Sequence, residues 1–577
     1  MKTKVSPLIA FSTAGLLFLA RIACVSAAEE SKDSTPVMLP AFVVADSAVR
    51  AKDLSDWQYI SHPNFEILSN CWTKIPKEMA ASLPDCLELM RLFMPVHLTR
   101  TRKAPLILII DSRPSRQVIP GGNQEFFVTP ENAKVSGPIH SRAYGDDDCL
   151  VIYINVGDTN DSDAGIRDFA DFITRLVFSG ILQKSITEAS PPPPPWLPGA
   201  LQWALFVPSP PPPHSASMEL RGMLYFSTNE NTKNNPVLSL EKVFNSRFNI
   251  GGFAPPNVVP TKITFPAKIE PTSFNAEIYT AALFVRWALF SENGKHADAF
   301  WSFVNQLRAE SRGGEELFQR CFGLNYSETE QRLRDYRRDA AKPVLLNFSA
   351  MARPSISPSD IRNATVTEAS RITAEWARLA AIEWPSLRES LFAQGRHILE
   401  EHASESGRDP RYLATYGILL SQSGDYAAAI PLLESAAGKV DDRPGVYTAL
   451  AKARLARLIA ANPGKKLSAA QLAPVLEPLA MAYKASHEQA AFYDVFLDLW
   501  ENAESKPQLK SLSPLLEGVR LYPYNTTLAW RAAKLYADMK FNAPASSLCD
   551  SGSKFAKDEA TREKFEKFKA TLVDAEK

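Results

Sequence analysis

Beyond residue 366 the apolar residues of this chain recur at helical spacing, in paired segments separated by short turns. The clearest pair is Asp409–Ala437, which reads as two antiparallel helices around a tight Gly424-Asp425-Tyr426 turn. A lone helical hairpin cannot bury its apolar stripe, so several must stack on one another. That requirement constrains the second part of the chain to an all-α array. Within the hairpin, Gly417 permits close approach, Ala429 and Ala436 keep the contact small, and Leu413, Leu420 and Leu433 fill it.

Those six residues fall at the signature positions of the tetratricopeptide repeat, which the unit resembles. Val446–Ala461 with Ala470–Ala485, Gln489–Trp500 with Gln508–Leu521, and Thr527–Met539 with Ala545–Phe555 are similar to degenerate copies, and Pro523 stands where the inter-repeat proline belongs. The resemblance implies a concave face that binds a peptide or a protein. Repeat register nominates Arg411, Ala414, Ile418 and Ser421 in the clearest hairpin, with Lys452 and Tyr536 in the weaker units.

The other end of the chain implies export. Lys2 and Lys4 precede the apolar stretch Leu8–Ala20, shorter than the roughly 20 residues of a membrane span. Val25-Ser26-Ala27 follows as a small-residue cleavage site, so residues 1–27 read as a secretory signal. A lipobox ending at Cys24 would need a branched apolar residue where Arg21 stands. The expected location is periplasmic or secreted, with no transmembrane helix in the mature chain. The 64 basic and 64 acidic side chains balance, and with no long Lys/Arg run this argues against a nucleic-acid partner. Loss of Cys24 leaves five cysteines without C-x-x-C spacing, which excludes a disulfide scaffold; Cys71 and Cys86 are close enough in sequence to pair, although burial as small apolar side chains is the simpler reading.

Residues 28–52 read as an extended linker. From residue 53 to 341 the pattern mixes strands and helices: strand-like alternation in Tyr59–Leu68, buried strands at Pro105–Ile110 and Leu150–Val156, and an amphipathic helix over 163–182. Two proline runs, Pro191–Pro195 and Pro210–Pro213, bracket Trp196–Val207 and read as rigid spacers. Helices follow at Asn275–Phe290, Ala297–Glu310 and Ser327–Ala341, the last opened by a Ser327/Glu330 capping box. Residues 342–365, rich in proline and serine, read as a second linker, and 366–577 as the helical repeat domain.

His62-Pro63-Asn64-Phe65-Glu66-Ile67-Leu68 is similar to the entry strand of gluzincin-like, peptidase-MA-type domains, and Trp196-Leu197-Pro198-Gly199-Ala200-Leu201 is similar to their W-L-x-E-G-L motif. The resemblance spans roughly residues 55–340. Active members carry H-E-x-x-H on a helix, where histidines four apart bind zinc and the glutamate acts as base. Here the matching helix reads Arg167-Asp168-Phe169-Ala170-Asp171-Phe172-Ile173. In one register Phe169 and Ile173 hold the ligand positions, in the other Asp168 and Phe172, and Gly199 replaces the third ligand. The eight histidines of the chain include no pair at i, i+4, and no G-x-S-x-G, Walker or G-x-G-x-x-G motif occurs.

Two acidic clusters, Asp146-Asp147-Asp148 and Gly157–Asp163, read as turn formers and helix caps; the second lacks the EF-hand register for calcium. The expectation is therefore an α+β zincin-like N-terminal domain plus an all-α tetratricopeptide-like solenoid. It acts as an exported, metal-free and cofactor-free pseudo-peptidase joined to a module that binds a protein or peptide partner in the cell envelope. A hydrolase with an unrecognised active site in the N-terminal domain is the alternative.

Overall fold

The computed structural model describes residues 57–71, parts of 76–87, 105–111, 140–155, 194 and 196–205, 217–220, 237–245, 273–309, 314–347 except 341 and 343, and 361–574 except 557. The signal sequence, the helix expected over 163–182, Cys86 and the Gly157–Asp163 cluster lie outside these residues. No helix among the described residues is long and apolar enough to cross a membrane.

The N-terminal region is built on a mixed six-stranded sheet. Its strands are β1 (Gln58–His62), β2 (Phe65–Ser69), β3 (Leu106–Asp111), β4 (His140–Gly145), β5 (Leu150–Asn155) and β8 (Ile361–Asn363), in the order β4-β5-β3-β2-β1-β8. β2, β3 and β5 run parallel, and β1, β4 and β8 are antiparallel to their neighbours. The segment Tyr59–Leu68 is thus two strands joined at Pro63-Asn64. Residues 342–365, expected as a linker, supply β8 and also β7 (Val344–Asn347), which pairs with β6 (Ser217–Leu220).

Because parallel strands are covered on both faces, β3 reads as an unbroken apolar run. On one face Ile67, Leu108 and Ile152 align in register. They join a core with helices α1 (Leu197–Ala204), α2 (Leu240–Phe244), α3 (Ser273–Phe290), α4 (Ala297–Ala309), α5 (Glu315–Phe322) and α6 (Tyr326–Ala340). α6 is capped by Asn325, whose side chain accepts from the Glu328 N–H at 2.8 Å while Glu328 accepts from the Asn325 N–H at 3.0 Å. The expected Ser327/Glu330 box is therefore displaced: Ser327 lies inside the helix, and Glu330 accepts from the Leu240 N–H at 2.9 Å.

The second face of the sheet meets the helical region. α7 (Val366–Glu383) starts on a Thr365/Glu368 capping box directly after β8 and lays Trp376 against Tyr153, ring centroids 5.6 Å apart, with Tyr144 edge-on to both Trp376 and Trp384. Helix pairs follow: α7 with α8 (Arg388–Glu401), α9 (Pro410–Ser423) with α10 (Tyr426–Ala436), α11 (Gly445–Ala461) with α12 (Ala469–Ala485), α13 (Ala490–Asn502) with α14 (Ser513–Leu521), and α15 (Thr526–Asp538) with α16 (Asn542–Lys554). α17 (Glu559–Asp574) packs on α16. The first helices of successive pairs are neighbours, as one-sided helices require.

The hairpin α9–α10 shows why its sequence folds so. Asp409 caps α9 and accepts from the Tyr412 N–H at 2.7 Å, Pro410 sits in the first turn, and Gly424 ends the helix at φ 90°. A Cβ on Gly417 would lie 2.6 Å from Leu433 Cγ and 3.2 Å from the Leu433 nitrogen, so only glycine permits this helix contact. Leu413, Leu420, Ala429, Leu433 and Ala436 are all buried in the same core.

Candidate functional site

Of the residues nominated for the former metal site, Asp168, Phe169, Phe172 and Ile173 lie outside the described residues. Gly199 lies in α1, buried, and α1 packs on α3. Trp196, fully buried before α1, contacts the rings of Phe244 and Phe284. Arg286 of α3 donates to the Ala204 carbonyl at 3.0 Å, at the end of α1. Among the described residues no group of three His, Cys, Asp or Glu side chains is arranged to hold a metal ion.

The groove nominated in the helical region is not an open surface. Ala414, Ile418, Ser421 and Tyr536 are buried, Ser421 donating to the Ala449 carbonyl at 3.3 Å and Tyr536 to the Leu512 carbonyl at 2.8 Å. Lys452 is exposed. Arg411 is engaged within the chain: one guanidinium nitrogen reaches Glu66 at 3.1 Å and the other Asp442 at 2.9 Å. Repeat register nominates positions along each helix but does not show that Ala414, Ile418, Ser421 and Tyr536 pack against neighbouring parts of the array.

Arg411 meets the sheet, which joins the array through a row of charges. Glu66 on β2 accepts on one oxygen from Tyr59 at 2.5 Å, Arg371 of α7 at 2.8 Å and Arg411 of α9. The turn between β4 and β5 carries the acidic triplet. Asp146 accepts from Arg378 of α7 at 2.5 Å, and its other oxygen takes the N–H groups of Asp148 and Cys149 at 2.9 Å each. Asp147 accepts from the Ala490 N–H at 2.6 Å, and Asp148 from the Gly445 N–H at 2.7 Å. These are the first N–H groups of α13 and α11, which have no partner inside their own helices. Carboxylates there also meet the positive ends of the helix dipoles.

Arg443 closes the cluster. It donates to Asp148 at 2.6 and 2.8 Å, to Glu375 of α7 at 3.0 and 3.2 Å and to the Thr415 hydroxyl at 2.9 Å. Arg378, also fully buried, bonds Glu375 and Asp146. Buried ions persist only when paired this completely. Burial alone would raise the Glu375 carboxyl, but Arg378, Arg443 and the Thr415 hydroxyl hold it well below the usual range. Asp146 is likewise held down by Arg378 and Glu66 by Arg371, both against burial. Asp148 goes the other way: burial, with Asp146 and Glu375 nearby, pushes it up against the pull of Arg443. Three carboxylates there face two guanidinium groups, so one carboxylate is always in excess.

A second polar group lies at the carboxyl ends of the parallel strands. Asp111, buried at the end of β3, accepts from the Asn70 amide at 2.8 Å and the Tyr153 hydroxyl at 3.0 Å. Cys71 beside it is a buried thiol directed to the Ile110 carbonyl at 3.7 Å. No sequence motif marks these residues; strand-end position in a parallel sheet is the one signal that finds them.

Compared with family models, curated proteins and solved structures, the chain matches none.

Proposed function

We propose that this chain is an exported, non-catalytic scaffold: a zincin-like domain that has lost its metal site, joined to a tetratricopeptide-like helical array that engages a protein or peptide of the cell envelope. The observation that carries the reading is Gly199. It stands where active relatives hold a glutamate ligand, offers no side-chain oxygen, and is buried in α1. The cover of sheet over the first helix pairs supports a rigid scaffold role, because it leaves partner binding to the surfaces of the array that face away from the sheet. Metal content and affinity capture test this together. The purified protein is expected to hold no stoichiometric zinc after dialysis and to enrich a defined partner from native envelopes; retained zinc overturns the reading.

A second reading, a hydrolase in the N-terminal region, has one observation in its favour: the Asn70–Asp111–Tyr153 group at the carboxyl edge of the parallel strands, where open α/β sheets place ligands. Turnover of a peptide or glycan that survives repurification and is lost in Asp111→Asn would promote it.

A further inference from the structure

We propose that the junction between sheet and helical array is an acid-released clasp, which lets go while the helix pairs themselves remain folded. The buried polar contacts made by β2 and by the turn between β4 and β5 share one polarity, while at the sheet edge Arg362 of β8 donates to Glu368 of α7 at 2.7 Å. Glu66, Asp146, Asp147 and Asp148 belong to the sheet; Arg371, Arg378, Arg411, Arg443 and the N–H groups of Gly445 and Ala490 belong to the array. In each of these contacts the carboxylate accepts and the array donates. Protonation therefore strikes the carboxylate in each of these contacts. Once the one carboxylate in excess has taken its proton, a further proton on Asp146, or one on Glu66, leaves a buried guanidinium short of counter-charge. The cores on either side are apolar and do not depend on these groups.

The other groups facing the clasp are Tyr59 on β1, Cys149 in the turn, Glu375 on α7 and Asp442 ahead of α11. Glu375 is inside the array, where it ties Arg378 to Arg443. The signs divide. Glu66 and Asp146 are held below their ordinary values by arginines of the array, so they favour docking above the ordinary carboxylate range and cease to do so as the pH falls. Glu375 is held down by Arg378 and Arg443 of its own array and does not report on docking. Asp148 is raised when docked and takes its proton without favouring release. Two groups drive opening and one resists.

Gly445 and Ala490 supply the readout, because as first residues of their helices their N–H groups are shielded by the Asp148 and Asp147 carboxylates. Hydrogen exchange of the full chain, resolved to single amides and corrected for intrinsic rate, should be compared at pH 7 and about pH 3.5. Both amides are expected to lose at least about ten-fold in protection while amides inside α12 and α15 keep theirs. Equal loss throughout, which is global unfolding, or full retention at both amides overturns the proposal. Glu66→Gln with Asp146→Asn, which neutralises the two groups that drive opening and leaves Asp148 in place, should bring the same loss at Gly445 to pH 7; should that variant not fold, the pH comparison on the unaltered chain decides alone.

Discussion

Arg443 and Asp148, 295 residues apart in the chain, are joined by two guanidinium hydrogen bonds to a single carboxylate oxygen, with both side chains almost wholly buried. Removing one member of such a pair strands the other. Arg443→Ala is expected to lower the unfolding free energy by about 3–5 kcal/mol, seen as a lower midpoint in urea. Asp148→Asn keeps an acceptor oxygen for only one of Arg443 and the Gly445 N–H and turns its amide NH2 toward the other, and should cost about 1–3 kcal/mol.

Exposed charge clusters should behave differently. Arg531 reaches Asp498 at 2.5 Å and Glu501 at 2.7 Å, yet its side chain is 26 % exposed and those of its partners 46 % and 39 %. Water and salt screen such pairs, so Arg531→Ala should cost no more than about 1 kcal/mol. If it proves as damaging as Arg443→Ala, burial is not what sets the strength of these ion pairs.

Glycine at 445 is required by the docked turn. A Cβ there would lie 2.5 Å from Asp148 Cγ and 2.6 Å from its Oδ1. Gly445→Ala should therefore destabilise by about 1–3 kcal/mol. It should also raise hydrogen exchange at the 146–149 turn more than inside α15. Gly417→Ala should cost a similar amount but loosen α9 against α10 instead, since its obstacle is Leu433.

Acid should destabilise the chain with a defined sign. Glu375, depressed in the folded state by Arg378 and Arg443, contributes stability above its ordinary range near pH 4 and loses it as the pH falls toward the depressed value. Glu375→Gln removes that dependence. Unfolding free energies measured at pH 7 and about pH 3.5 should differ less for the variant than for the unaltered chain. An equal difference would place the acid sensitivity elsewhere.

Tyr536 separates packing from partner binding. Its hydroxyl donates to the Leu512 carbonyl in the core, so Tyr536→Phe should lower stability by about 0.5–1.5 kcal/mol. Partner capture should be unchanged. Loss of capture at full stability would restore Tyr536 to a recognition surface.

Periodicity carried much of the architecture. Helical spacing marks α9 through α16, and unbroken apolar runs mark β3 and β5, because burial imposes a repeat that sequence must obey. The junction was illegible for the complementary reason. Asp147 caps a helix 343 residues away, and Asp146 pairs with an arginine 232 residues away, so an acidic triplet that reads as a local turn in fact serves distant helices. Ala414, Ile418 and Ser421, nominated for a groove, are instead buried against neighbouring helices of the array. Asn325 in place of Ser327 as the cap of α6 is a smaller miss of the usual kind, a boundary shifted by two residues.

β8 has only three residues, but it completes the sheet edge beside β1, pairing Asn363 with Gln58. Synthesis runs from one end, at about 5–20 residues per second. β1 is therefore finished roughly 15–60 seconds before its edge partner exists, and the arginines that receive the acidic turn arrive later still. For that interval the N-terminal region has no route to its final state. Closure of the sheet edge thus waits on the order of synthesis and not on the strength of any local contact.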